Sequence, residues 1–243
     1  MILIRKEDIL HKFELLKLLT AIVDNPEVAQ SLYFKGGTCA AMAGFLDRFS
    51  IDLDFDLKKG EDKVKLRKCL ENIFKVQDFT ISNKKRATFF YLLKYQAPPN
   101  QRNTLRLSVF EEFIRANDYK PIFLPEINRL VNCQTIETMF ANKLVAPIDR
   151  FQKHQKIAGR DIYDIHYFFS QDYKFKDEVI RERTGLKTKD YLEALIDFIE
   201  SKITEKILTE DLNSLLPYPK FQAIRKTLKK EVILFLKSSQ SLM

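Results

Sequence analysis

Scarce cysteine, histidine and glycine, and the lack of any long apolar run, set the first limits on this chain. The three cysteines (Cys39, Cys69 and Cys133) are odd in number, scattered and without metal-ligand spacing. That excludes a disulfide framework and fits a reducing, cytoplasmic setting. Each is expected to act as a small buried apolar residue. There are three histidines, and His154 and His166 share one region without a ligand pattern, which argues against a zinc site. Apolar stretches are short and interrupted, so none would span a bilayer. The opening residues, MILIRKEDILHKF, contain acidic residues and no cleavage site, unlike a signal peptide. No repeat or low-complexity linker occurs. With six glycines in all, most are expected to meet a local backbone need.

The chain has 243 residues, enough to bury a core as one large domain or two small ones. Its apolar fraction of 45% and charged fraction of 30% are those of a soluble globular protein. The net charge of +8 at pH 7 suits a partner that is nucleic acid, an acidic membrane or an acidic protein. A lysine-rich chain is also basic without binding anything, so charge alone does not choose.

The most informative stretch is residues 34–57, FKGGTCAAMAGFLDRFSIDLDFDL. Gly36, Gly37 and Thr38 open it, a helix-length segment follows, and an alternating strand then places Asp52 and Asp54 two apart. Strand side chains alternate faces, so these carboxylates share a side and Asp56 continues the row. Two carboxylates on one strand face suit a divalent cation with oxygen ligands, and magnesium is usually held by one or two carboxylates plus substrate phosphates. Glycines allow close backbone approach to a phosphate, and Thr38 is expected to begin a helix whose amides point to the same place. The alternative is a hairpin turn followed by a strand with solvated aspartates.

Around this stretch the chain reads as strands early and helices late. Residues 7–23 carry Ile9, Phe13, Leu16 and Ile22 at helical spacing, and Pro26 suits the first turn of a short helix, 25–32. Tyr33–Lys35 is a short strand, 38–46 a helix, 51–57 the carboxylate strand and 61–74 a lysine-rich helix. Phe79–Ile81, Ala87–Tyr95 and Thr104–Glu111 read as strands, with Pro98-Pro99-Asn100 as a turn. Residues 121–135 are extended. Helices are expected over about 135–146, 161–170, 177–184, 188–202 and 220–238. This pattern is α+β, with a mixed-sheet core over 1–134 and a helical part over 135–243.

The spacing of these motifs resembles the polymerase-β-like nucleotidyltransferase superfamily, whose signature is a Gly-Gly-Ser/Thr turn, a helix and Asp-x-Asp on a strand. Phe34-Lys35-Gly36-Gly37-Thr38, Arg48-Phe49-Ser50 and Asp52-Leu53-Asp54-Phe55 resemble more narrowly the AbiEii family of nucleotidyltransferase toxins, which occur with antitoxins in bacterial abortive-infection and toxin–antitoxin systems. The resemblance implies a polymerase-β-like core, one or two Mg²⁺ ions on Asp52 and Asp54, and a nucleoside triphosphate held with Lys35, Gly36, Gly37, Thr38, Arg48 and Ser50. It also implies a cognate antitoxin and an RNA acceptor, a tRNA 3′ end being one.

Downstream, Arg106, Ser108 and Phe110 share one face of a strand at the place where this superfamily often carries a third carboxylate. No acidic residue lies among them, and Glu111 comes only at the strand end, so the general base is unassigned. In Ile136–Arg150, Lys143 sits on the edge of an apolar helical stripe and either snorkels to solvent or enters a cleft. The segment resembles the family's Glu-x-x-x-x-x-Lys-Leu helix, in which the lysine faces the nucleotide phosphates. Arg150 follows on the same face, to serve phosphates or a surface ion pair. Arg160-Asp161-Ile162-Tyr163-Asp164-Ile165 resembles the family's Arg-Asp-x-Tyr/Phe-Asp-Leu/Ile motif. It implies that Asp161, with Asp164 on the same helix face, completes the site, by orienting either Lys143 or the acceptor hydroxyl. The alternative for Asp161 is a helix-capping role in the first turn. Tyr163, Tyr167, Phe168 and Phe169 read as core. Of the lysine clusters, Lys84-Lys85-Arg86 and Lys153–Lys156 flank the motif-bearing elements and are the candidates for RNA backbone contact. Two other readings stay open: transfer to a protein or small molecule, and a nucleotide- or RNA-binding module with a degraded site.

Overall fold

A computed structural model describes residues 5–85 and 88–242. Arg86 of one basic cluster and Ala87, the expected start of a strand, lie outside the described residues. The chain divides into two compact units, Met1–Phe113 with Tyr119–Gln134, and Ile114–Asp118 with Thr135–Met243.

The first unit is built on a mixed sheet. Its strands are β1 (Leu32–Lys35), β2 (Asp52–Leu57), β3 (Thr80–Lys85), β4 (Phe89–Lys94), β5 (Thr104–Phe110), β6 (Tyr119–Leu124) and β7 (Arg129–Gln134), in the order β3-β4-β5-β2-β1-β7-β6. β2 runs parallel to β5 and antiparallel to β1, and β1 runs parallel to β7. Alternation decides the faces. Phe34, Leu53, Phe55, Phe89, Tyr91, Leu93, Leu105, Leu107 and Val109 are buried on one side, and their neighbours in sequence point to the other.

Helix α1 (Asp8–Val23) contacts β2, β5 and β7, with only part of the expected apolar set buried. Ile9 and Phe13 are 54% and 59% exposed, whereas His11, Leu15, Leu18, Leu19 and Ile22 are buried. Apolar residues occur around most of this helix, so the position of the sheet selects the buried face. α2 (Pro26–Ala29) starts as expected, with Pro26 at its first position and the Val28 amide donating to Asn25 Oδ1. α3 spans Gly36–Met42, so the glycine pair forms its first turn and does not precede it. The lysine-rich helix is α4 (Lys63–Val76), capped by Asp62.

Burial of His11 makes a prediction. Its Nε2 donates to the Ile51 carbonyl at 2.9 Å and its Nδ1 lies 2.7 Å from the Tyr95 hydroxyl. Burial pushes the imidazole from its ordinary 6.5 down to about 4. The unfolded chain therefore binds a proton between these values that the folded chain does not, so stability is lost as pH falls from 6.5 towards 4, by on the order of 3 kcal/mol in total. Urea titrations across this pH range should show a steeper loss in the wild type than in His11→Gln. Parallel curves would exclude His11 as the source.

The second unit contains α5 (Ile136–His154), α6 (Gly159–Ser170), α7 (Asp177–Thr184), α8 (Thr188–Lys202), α9 (Glu205–Leu212), α10 (Tyr218–Ile224) and α11 (Leu228–Ser241). Four of these differ from expectation. α5 continues through Pro147, which has no amide to donate; in the same turn the Tyr191 hydroxyl donates to the Leu144 carbonyl at 3.1 Å. α9 was not expected, although Thr204 caps it by accepting from the Ile207 amide. The single helix expected over 220–238 is two, interrupted at Arg225–Thr227. Phe140 packs against Phe168, Phe169 and Phe175, and Tyr163 and Phe168 are fully buried, so this aromatic cluster is core.

Candidate active site

The glycine pair is explained by what lies against it. Gly36 has φ +79°, and a Cβ there would stand 3.0 Å from Asp54 Oδ2 and 3.2 Å from Asp54 Cβ. Only glycine lets the β1–α3 turn lie directly on the Asp54 carboxylate. At Gly37 a Cβ would meet Arg48 Nη2 at 2.7 Å and Ser50 Oγ at 3.1 Å. Arg48 is 2% exposed and donates to the Phe49 carbonyl at 2.9 Å. The Thr38 hydroxyl reaches Ser50 Oγ at 2.9 Å and the Asp52 carbonyl at 2.5 Å. The side chains of Thr38, Arg48 and Ser50, expected at the nucleotide, are thus turned inward, where they tie the turn to the start of β2.

Register sets out the carboxylate row. Asp52 pairs with Arg106 of β5, Asp54 with Ser108, and Asp56 with Phe110; across β1, Asp54 pairs with Lys35. Asp52 Oδ2 accepts from Arg106 Nη2 at 2.5 Å. Asp56 continues the row but is closed off. It is 4% exposed and accepts from Lys35 Nζ at 2.5 Å, the Tyr119 hydroxyl at 2.9 Å and Gln134 Nε2 at 2.6 Å. Lys35, expected at the nucleotide, spends its charge on Asp56 and sits 4.0 Å from the centroid of the Phe110 ring. Glu111 is bonded to Lys63, as a strand-end glutamate, and adds nothing to the row.

Asp52 and Asp54 fit a magnesium ion. Among the described residues no three histidine, cysteine, aspartate or glutamate side chains converge. A cation at this pair would need its remaining ligands from water and phosphate, the coordination magnesium prefers and zinc does not. Cys39 and Cys133 are buried and burial raises the Cys39 thiol. Cys69, expected to be buried, is half-exposed, with its Sγ 3.2 Å from a Glu27 carboxylate oxygen.

A second charged cluster is built within the helical unit. From α5, Lys143 Nζ donates to Asp161 Oδ1 at 2.9 Å and lies 2.8 Å from Asp164 Oδ2. Arg150, two turns on, donates to Asp161 Oδ2 through Nε at 3.2 Å and Nη2 at 3.0 Å. Both aspartates, on α6, are fully buried. Burial alone would raise the Asp161 carboxyl, but the charges of Lys143, Arg150 and Arg160 outweigh it and hold the group well below the usual carboxylate range. The snorkelling alternative for Lys143 fails, because its side chain is 17% exposed and paired. Asp161 does not cap its helix either. The first turn of α6 is served by Asp211 of α9, which accepts from the Gly159 amide at 2.6 Å. A Cβ on Gly159 would meet the Ile207 carbonyl at 3.0 Å, so glycine admits α9 here. Asp211 left no mark in the sequence beyond an acidic residue in an amphipathic stretch.

This architecture is that of nucleotidyltransferases. The structure of JHP933 from Helicobacter pylori superposes with a TM-score of 0.56 at 20% identity, covering 99% of this chain and 98% of that one. MenT4, a nucleotidyltransferase toxin from Mycobacterium tuberculosis, superposes with a TM-score of 0.57 at 15% identity, covering 96% and 86%. Among curated proteins none matches the chain. The family model described as "Nucleotidyl transferase AbiEii toxin, Type IV TA system" matches residues 17–229, and the chain belongs to that family. It is therefore a nucleotidyltransferase of the type IV toxin–antitoxin class, which implies a nucleoside triphosphate substrate and an antitoxin partner. Among the described residues no helix is long and apolar enough to cross a membrane.

Proposed function

We propose that this protein transfers a nucleoside monophosphate from a triphosphate to an RNA hydroxyl, a tRNA 3′ end in particular, in the cytoplasm, and that this is the toxic act an antitoxin restrains. The observation that carries the reading is the placement of Asp52 and Asp54 on one strand face, with the Gly36 backbone lying on Asp54. Asp52 and Asp54 would hold Mg²⁺, which when bound supplies positive charge to the reacting α-phosphate and the leaving pyrophosphate. The Gly36–Gly37 turn, seated on Asp54, Arg48 and Ser50, would offer its backbone amides to phosphate, while Thr38, Arg48 and Ser50 hold that turn in shape from beneath.

The acceptor oxygen attacks the α-phosphorus in line, the bond from that phosphorus to the bridging oxygen breaks, and pyrophosphate leaves. The acceptor proton passes to solvent, since β5 presents Arg106 and Ser108 where a carboxylate base would stand. The family resemblance gives Lys143 a phosphate-facing role. An ammonium has three donors, and Asp161 and Asp164 engage two of them, which orients the third. Arg150 supports the same charge through its pairing with Asp161.

The RNA acceptor is supported by the net charge of +8 and by the exposed Lys84, Lys85, Lys153 and Lys156. Lys84 and Lys153 are paired with Glu71 and Asp149, but surface pairs of this kind are weak and yield readily to phosphate.

Incubation with each labelled triphosphate, Mg²⁺ and total RNA tests the whole reading, and one label should appear in tRNA. Binding of unmodified tRNA should weaken log-linearly with salt, and neutralising Lys153 and Lys156 should flatten that slope. Absence of tRNA binding at low salt, with label in protein or a small molecule, would overturn the RNA acceptor.

A further inference from the structure

The face of β5 that adjoins the carboxylate row carries Arg106, Ser108 and Phe110 and no acidic residue, so the neighbour of Asp52 on this strand is a fixed positive charge. Parallel pairing of β2 with β5 sets Arg106 directly beside Asp52, and Nη2 donates to Asp52 Oδ2. The guanidinium is not fully engaged by this contact. Its Nε is buried and has no hydrogen-bond partner among the described residues. A buried donor left unmet costs free energy, and an anionic oxygen is the chemistry that meets it best. Ser108, the next residue on this face, is small and neutral and offers Arg106 no competing charge.

We propose that Arg106 is a positioning residue that couples cation binding to nucleotide binding. In the absence of nucleotide its guanidinium neutralises and orients Asp52, so the bare Asp52–Asp54 pair attracts a divalent cation poorly. When triphosphate arrives, its oxygens draw the guanidinium from Asp52, satisfy Nε and add ligands for the cation. Metal and nucleotide then bind together and each is weak alone. This rests on the reading of Asp52 and Asp54 as metal carboxylates.

The test is titration of Mn²⁺ alone, by calorimetry and by the spin-resonance signal of unbound Mn²⁺, into the full-length protein and its variants. Arg106→Ala and the longer Arg106→Gln should both bind Mn²⁺ about tenfold more tightly than wild type, because a like charge a few ångströms from the site has been removed. Arg106→Lys, which keeps the charge, should stay near wild type. Binding of a non-hydrolysable triphosphate analogue should weaken about tenfold in the same two neutral variants, as expected for loss of a charge-assisted hydrogen bond. A merely structural role for Arg106 would loosen both ligands together.

Unchanged or weaker Mn²⁺ binding in Arg106→Ala and Arg106→Gln, including no binding by any form, overturns the proposal. Adding Asp54→Asn to Arg106→Ala separates the two levels. If the gained affinity survives that change, the cation is not on the carboxylate pair and the metal reading itself falls. If binding is abolished by Asp54→Asn yet Arg106→Ala gave no gain, only the role of Arg106 falls.

Discussion

Asp52→Asn and Asp54→Asn should each lower nucleotidyl transfer by about a thousandfold, because cation stabilisation of the reacting phosphates is worth several kcal/mol and each ~1.4 kcal/mol is a factor of ten. The substitution is isosteric and removes only the charge. Asp52 sits in a half-buried pair with Arg106, the two side chains 17% and 35% exposed, so neutralising it costs less stability than breaking a fully buried pair does. Asp52→Asn should therefore leave Tm and circular dichroism close to wild type while activity is lost. Asp56→Asn should behave in the opposite way. That carboxylate is buried under Lys35, Tyr119 and Gln134, so its loss destabilises the sheet. Near-normal turnover in both Asp52→Asn and Asp54→Asn would exclude them as the metal carboxylates.

Asp161→Asn should be among the most destabilising single changes in the chain. The carboxylate is fully buried and answers two cations, Lys143 and Arg150. Removing its charge leaves Lys143 with Asp164 and takes from Arg150 the carboxylate it pairs with, and breaking a buried pair by neutralising one partner costs about 3–5 kcal/mol. The pH dependence has a definite sign. A carboxyl held below its unfolded value of 3.8 contributes stability above that pH and loses it as pH falls further. Its loss therefore lies on the acid side of the His11 window. Denaturant titration at neutral pH gives the cost. A double-mutant cycle with Lys143→Met should show that the two changes together cost less than their sum, since the second removes the cation the first left uncompensated. Strict additivity would mean that Lys143 and Asp161 do not act as one unit, and the role of Asp161 as the residue that orients Lys143 would fall with it.

How much of this was legible beforehand depended on sequence distance. Gly36-Gly37, the segment to Arg48 and the Asp52–Asp54 spacing lie within one short stretch, where period and glycine chemistry suffice. The Lys143 helix and the Arg160–Ile165 motif stood out by family resemblance, which also offered orientation of Lys143 as one role for Asp161. Packing of α5 on α6 makes that contact, while the joint hold of Asp161 and Asp164 on Lys143 and the pairing of Arg150 with Asp161 were not foreseen. Part of the face of α1 was misjudged because apolar residues ring most of that helix. α9 was missed because one capping threonine before a short amphipathic stretch is a weak signal beside the longer helices around it.

The sequence by itself determined the α+β order of elements, the carboxylate strand and the residue types of a nucleotidyltransferase, because alternation, capping and glycine requirements act between near neighbours along the chain. Only the tertiary structure decided what each charge does. Parallel pairing of β2 with β5 brought Arg106 to Asp52, the sheet closed Lys35, Tyr119 and Gln134 over Asp56, and helix packing committed Lys143 and Arg150 to Asp161. These contacts join residues from 11 to 78 positions apart. Register and packing angle are set by the burial of whole faces, so no local pattern records which charge meets which.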